Sequence, residues 1–167
     1  MEEELVDIVD RNNKVIGSAP RKGIHKTDLL HRSVHIFLID LQEKIWLEKR
    51  AENTDTFPGY FNSSAAGHVS KGESYLEGAK REAEEELGNG DLGMRQVHML
   101  NASDETSNEF VAFFVAKSDY VPRTHEATQS LTKYGINEIE TMMANGEPFV
   151  PIFMKLFEWY KENRDKA

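Results

Sequence analysis

Cysteine is absent from the 167 residues, which excludes disulfides, thiolate metal ligands and a cysteine nucleophile. No apolar run approaches the ~20 residues of a membrane-spanning helix, and the opening segment MEEELVDIVD is acidic where a secretory signal would be basic. The expectation is a soluble cytoplasmic protein with no membrane partner. Sustained basic runs are missing too: the formal charge is −9, so nothing tracks a phosphate backbone and duplex nucleic acid is not an expected partner. An acidic protein acting on an anionic substrate needs a cation between them. There is no internal repeat, low-complexity tract or compositional break, and a chain of this length can bury a core without covalent staples, so residues 1–167 read as one domain.

What is present is a mixture of strand and helix signals. Val34 to Ile39 and Ile45 to Leu47 are apolar runs separated by the turn-like Gln42-Glu43-Lys44, which predicts a hairpin. Phe57-Pro58-Gly59 precedes a third extended piece, Tyr60 to Ala66, and Gln96 to Leu100 and Phe110 to Ala116 read as further strands. Ile136, Ile139 and Met143 recur at helical spacing until Asn145-Gly146. Pro151 suits a first helical turn, and Ile152, Phe153, Leu156, Phe157 and Tyr160 follow as a broad apolar stripe. Strands interleaved with helices imply an α/β sandwich with a mixed sheet.

The chemistry lies in GHVSKGESYLEGAKREAEEELG, residues 67–88. Ser74 with Glu77 three residues on is a capping-box pattern, so a helix should begin there. At about 100° per residue, Leu76, Ala79, Ala83 and Leu87 fall on one apolar stripe, Glu82, Glu85 and Glu86 cluster beside it, and Glu77 and Glu84 point away. Like charges one turn apart cost a few tenths of a kcal/mol each, ~0.2–0.5. A hard divalent cation would offset that repulsion, and a solvated acidic face is the other reading the charge pattern leaves open.

Gly67, Glu73, Arg81, Glu82, Glu85, Glu86 and Gly88 match every fixed position of the Nudix signature, and the segment 67–89 therefore resembles a Nudix box. Ala83 and Asn89 depart from the aliphatic residues expected at two softer positions. The resemblance implies a Nudix-like α/β/α sandwich. It also implies Mg²⁺ or Mn²⁺ held by Glu82, Glu85, Glu86 and the Gly67 carbonyl, with Glu73 and Arg81 paired to brace the loop against the helix. The implied reaction is cleavage of a small-molecule diphosphate by metal-activated water. Glu85 or Glu86 is the expected water-orienting base, with Glu109 a further catalytic candidate from outside the box.

VDIVDRNNKVIGSAPR, LLHRSVHIFLI and FPGYFNSSAAGHVSKGES extend the resemblance to the Nudix branch that resembles isopentenyl-diphosphate isomerase. Those isomerases carry a catalytic cysteine where this chain has Ala66, and an alanine can move no proton. Their carboxylate set is incomplete, whereas this one is full, so both departures favour hydrolysis. His31, His68 and Glu109 match positions similar to the isomerase metal ligands, and His25 does so after a one-residue shift, which raises a second metal site as an expectation. Ser107 stands where a further glutamate would help. Arg21, Lys22, Arg32, Lys49 and Arg50 are available to a phosphate or to the surface, and His125 and Glu126 begin a polar stretch with no assigned role. Phe57, Tyr60, Phe61, Trp46 and Phe114 could stack a base or line an isoprenoid pocket, although core packing explains each more simply. Diphosphate hydrolysis ranks first, ahead of an isomerase-like activity and a catalytically silent nucleotide-binding module. The organic group and the oligomeric state stay open.

Overall fold

Alternation along the longest apolar run organises the molecule. The computed structural model describes residues 3–167, in the order β1 (Leu5–Val9), β2 (Val15–Pro20), β3 (His31–Ile39), β4 (Ile45–Arg50), β5 (Phe61–Asn62), β6 (Ala65–His68), α1 (Tyr75–Leu87), β7 (Arg95–Leu100), β8 (Glu109–Lys117), β9 (Thr128–Tyr134), α2 (Ile136–Ala144) and α3 (Pro151–Asn163). Successive side chains of a strand face opposite ways. On β3, Val34, Ile36 and Leu38 pack with Ala79, Ala83 and Leu87 of α1, while Phe37 and Ile39 pack with Phe153, Leu156 and Phe157 of α3. Each large apolar side chain fully buried this way contributes about 1.5–3 kcal/mol. A sheet loaded on both faces needs a helix on both, which is the α/β/α sandwich expected from the sequence.

The sheet is mixed. β8 runs parallel to β3, from His31 opposite Glu109 to Ile39 opposite Lys117, and the other pairings are antiparallel. The hairpin of β3 and β4 is tied only at its turn, where Ile39 faces Ile45. Beyond that point β3 takes β6 as its neighbour, and β4 takes β5 and β9. Ser64 bridges the divergence: its hydroxyl donates to the Trp46 carbonyl at 2.6 Å and accepts from the Leu38 N–H at 2.8 Å. Backbone groups freed by the splay are thereby satisfied, and the opening between the strands becomes the floor of a cavity.

α1 is built as its sequence predicts, with Ser74 and Glu77 forming a complete capping box and Gly88 ending the helix at φ 85°. One residue of its expected stripe is corrected: Leu76 is 43% exposed, because the sheet meets the helix along Gly78, Ala79, Glu82, Ala83 and Leu87 instead. The extended piece after Gly59 is two short strands, since Ser63 and Ser64 turn inward between β5 and β6.

The N-terminal hairpin of β1 and β2 has a sheet of its own, with Asn13 at φ 62° in a turn that the Asp10 carboxylate caps. It docks on the turn before α1, where Lys71 N–H donates to the Leu5 carbonyl and Gly72 N–H to Asp7. Gly23, at φ 78°, then starts a single helical turn, Ile24–Lys26, whose Ile24 is buried with Val6 and Ile8 and whose His25 lies at the cavity rim.

Candidate active site

A cavity of about 580 Å³ opens where β3, β6, the start of α3 and the Ile24–Lys26 turn converge. Sequence-expected residues from five separate segments line it: Arg21 and His25, Arg50, Gly67 and His68, Glu86, and Glu109. Glu82 lies at its edge, against Gly67, so that a Cβ at position 67 would overlap the Glu82 carboxylate. Lys22 lies in a neighbouring groove. Arg32 is engaged elsewhere, with Asn13 and the Tyr75 ring, and Lys49 sits over Phe61.

The three box glutamates have different surroundings. Glu86 accepts a hydrogen bond from the Ala66 N–H at 2.8 Å and faces the cavity. Its pKa is pushed well above the usual carboxylate range by burial and by the charges of Glu82 and Glu48. Glu82 is buried and also raised, by desolvation first, with the Arg81 guanidinium 2.8 Å away partly opposing the shift. Glu85 is 58% exposed and meets Arg81 at 3.4 Å, outside the cavity lining. Two enclosed carboxylates, of which Glu82 raises the pKa of Glu86, suit a divalent cation, which would remove the repulsion and which prefers oxygen donors.

Arg81 is the brace. Its Nε and one terminal nitrogen donate to both oxygens of Glu73 at 2.8 and 2.9 Å, and the same terminal nitrogen reaches the His68 carbonyl at 2.9 Å. Glu73 also accepts from the Ser70 N–H at 2.7 Å, and its pKa is lowered, by the Arg81 bond above all. A fork-shaped bidentate pair of this kind fixes the loop Val69–Ser74 to the helix and sets the angle at which β6 meets α1.

His25, His31, His68 and Glu109 converge so that one ligand atom from each lies within 4.8 Å of the others. Period-two geometry explains it: His31 stands opposite Glu109 on β8, and Ser33, one pleat on, stands opposite His68 on β6. His31 Nδ1 donates to the Leu29 carbonyl at 2.9 Å, which leaves the Nε2 lone pair buried without a partner. Metal-binding histidines are oriented in this way. Burial and the neighbouring histidines hold the His68 pKa at about 3, and burial pushes Glu109 up to about 8. Both are thus neutral near pH 7, and their 3.6 Å approach is not an ion pair. Three imidazoles and a carboxylate match a borderline ion such as Zn²⁺ better than Mg²⁺.

Four further residues enter without having been singled out from the sequence. Glu48, buried on β4, accepts from the Thr128 hydroxyl at 3.0 Å and has His125 Nε2 3.8 Å away. Glu105 reaches the rim from a helical turn before β8 and pairs with Lys155. His35 and Asn62 line the deep wall. For His35 a signal existed, since His31, Ser33 and His35 share one face of a strand. For Asn62 none did, because its position depends on the splay of β4 from β3.

Fold and site together define a class, a mixed-sheet sandwich whose glutamate-bearing helix meets a glycine at the rim of a cavity. Residues 29–149 match the NUDIX domain. The chain belongs to the Nudix hydrolase family. It is 30% identical over 158 residues to the Nudix hydrolase PA4841 of Pseudomonas aeruginosa, covering 94% of this chain and 93% of that one. It is 31% identical over 166 residues to the Nudix hydrolase YfcD of Escherichia coli, covering 96% and 88%. A Yersinia pestis Nudix hydrolase is 46% identical over 85 residues, and that match spans 47% of its length. In fold, the chain is similar to DR0079 from Deinococcus radiodurans (TM-score 0.81, 24% identity, 93% of this chain and 98% of that one). It is also similar to the NUDIX domain of Shewanella oneidensis NrtR (TM-score 0.63, 14% identity, 78% and 85%). No helix among the described residues is long and apolar enough to cross a membrane.

Proposed function

We propose that residues 1–167 act as one catalytic domain that hydrolyses the diphosphate linkage of a small organic molecule with a divalent cation, Mg²⁺ or Mn²⁺. The observation that carries this reading is the Glu86 carboxylate, turned into a cavity that Arg21 and Arg50 also line. Glu82, Glu85, Glu86 and the Gly67 carbonyl would hold the cation, Glu85 by a side-chain rotation from its exposed position. When bound, such an ion neutralises phosphate charge and lowers the pKa of a coordinated water. Arg21 and Arg50 hold the anionic end of the substrate. With a bound cation holding the carboxylates ionised, Glu86 would take the proton of the attacking water, and Glu109 is the alternative acceptor at the histidine end. The NrtR domain forms a complex with ADP ribose, and a Francisella tularensis protein of similar fold is a bifunctional NMN adenylyltransferase/ADP ribose pyrophosphatase. Those neighbours favour nucleoside-diphosphate-type substrates. The test is a panel of nucleoside-diphosphate derivatives and isoprenoid diphosphates, with Mg²⁺ or with chelator. Metal-dependent cleavage supports the proposal; no cleavage of any member with either Mg²⁺ or Mn²⁺ counts against it.

Gly67→Ala gives a local check. The added methyl must displace the Glu82 carboxylate, which Arg81 holds in place. An ångström of misplacement at a reacting centre costs on the order of 10²-fold in rate. The expected result is a fall of that size in kcat with little change in melting temperature, and unaltered kinetics would show that the Gly67–Glu82 contact has no part in turnover.

His25, His31, His68 and Glu109 form, in this reading, a second metal site. Dialysis against Zn²⁺ or Mn²⁺ followed by metal analysis should find a bound ion that His31→Ala loses while Glu86→Gln keeps it. Retention of that ion by His31→Ala would remove the site. The cluster is also what favours isomerase-like chemistry as a second reading; Ala66, which cannot transfer a proton, opposes it, and conversion between the two five-carbon diphosphates would establish it.

A further inference from the structure

The cavity has two chemically different ends. Histidines and Glu109 occupy one, with Arg21 beside them. At the other, β3 and β5 present His35 and Asn62, which are only 4% and 5% exposed. His35 Nδ1 is bonded to the Ser63 hydroxyl at 2.8 Å, and burial depresses its pKa to about 3, so the ring is neutral. Asn62 Oδ1 is buried with no hydrogen-bond partner. Phe57, 36% exposed, and Val150, Pro151 and Ile152 line the same cavity. This end thus combines an aromatic ring and an apolar wall with a floor of two uncharged polar groups; Arg50 lines the same cavity, the Glu86 carboxylate adjoins the floor through Ala66, the cross-strand neighbour of His35, and Glu48 stands opposite Asn62 on β4.

Buried polar atoms left without partners are costly, and a site built around them rejects a ligand that cannot hydrogen-bond. A hydrocarbon chain entering here would strip water from Asn62 and His35 and return nothing. A planar heterocycle could place its face against Phe57 and its edge on the floor. We infer that His35 and Asn62 are specificity-determining residues that hydrogen-bond the edge of a planar, polar organic group, and that they discriminate against alkyl and isoprenoid groups. The inference rests on the diphosphate-binding reading of the cavity and adds which part of the ligand is chosen and by which side chains.

The test is equilibrium binding rather than turnover, measured calorimetrically without added divalent metal and again with Mg²⁺ on ice. A nucleoside diphosphate is compared with an unbranched alkyl diphosphate, and inorganic pyrophosphate serves as control. The intact protein should favour the nucleoside diphosphate by about tenfold or more. Asn62→Leu, which keeps the branching and heavy-atom count of asparagine, and His35→Phe should each lower that ratio by about tenfold without moving pyrophosphate affinity. His35→Gln, which keeps a polar group on the floor, should retain most of the preference, and it stands in should the phenylalanine variant not fold. A ratio at or below one, a ratio that neither Asn62→Leu nor the His35 substitutions move as stated, or no binding of the nucleoside diphosphate under either condition overturns the assignment. Failure of the hydrolase proposal is distinguishable, since it leaves this ratio intact and shows only as absence of cleaved product.

Discussion

Glu86→Gln is expected to lower kcat for diphosphate cleavage by about 10³-fold while raising the melting temperature of the metal-free protein. Glutamine has the same shape and its amide oxygen can still accept the Ala66 N–H, so the 2.8 Å contact that positions the side chain survives. What disappears is the negative charge and the capacity to take a proton. The stability change follows from linkage. Burial first, then Glu82 and Glu48, raise the folded-state pKa of Glu86 well above its unfolded value. The folded protein therefore holds the Glu86 proton to higher pH than the unfolded chain, and stability falls as pH climbs from the unfolded pKa through the folded one. At neutral pH glutamine relieves that cost. Paired melting curves and steady-state kinetics check both halves, and a variant that is inactive because it is unfolded would contradict the account.

Arg81→Lys should differ in the sign of its stability effect, losing stability and activity together. The guanidinium makes two bonds to Glu73, one to the His68 carbonyl and one to Glu82, and a lysine ammonium cannot reproduce a planar fork. Charge-assisted hydrogen bonds contribute roughly 1.5–3 kcal/mol each when buried; with Arg81 31% exposed and lysine retaining part of the set, a net loss of about 2 kcal/mol is expected. Because the Glu73 carboxyl is held below its usual pKa chiefly by Arg81, the stability it contributes is present above the unfolded carboxylate pKa and is lost as pH falls through the folded one. The variant should therefore show a flatter acid limb in its melting temperature. Activity should fall by about 10²-fold through displacement of β6 relative to α1, so the two substitutions separate a group that reacts from one that positions. An Arg81→Lys protein with intact stability and an unchanged acid limb would show that the brace is not structural.

Legibility from sequence followed burial. β3, β8 and α3 carry continuous or periodic apolar residues because both sheet faces are covered, and those elements were readable to within a few residues. α1 was readable for a second reason, its capping box. β9, with the sequence TQSLTKY, was missed because it pairs with β4 on one side only and its side chains are partly solvated, so neither alternation nor hydrophobicity marks it. The N-terminal hairpin was missed as strands although Asp10-Arg11-Asn12-Asn13 is a turn sequence, because β2 is almost wholly exposed. Leu76 misled in the other direction, since α1 meets the sheet through small residues that allow close approach.

Around the cavity, motif spacing anticipated that Gly67, Glu73, Arg81, Glu82 and Glu86 lie near one another, because helix geometry and one short loop determine where they go. Glu85 could not be separated from Glu86 by spacing, and only the packing of α1 against β6 shows that one faces the cavity while the other is exposed. The histidine cluster draws on three segments far apart in sequence, and its convergence depends on the parallel register of β3 and β8. Glu48 and Asn62 depend on how far β4 splays from β3, a tertiary distance that no local pattern encodes.

The most direct measurement is the reaction run in heavy-oxygen water with Mg²⁺ and the mixed diphosphate panel, products being resolved by mass. The account predicts two phosphate-bearing products from a cleaved substrate, one of them carrying a single solvent-derived heavy oxygen on phosphorus, and both forming about 10³-fold more slowly with Glu86→Gln. A product of unchanged mass, or cleavage that leaves both phosphates unlabelled, would contradict it.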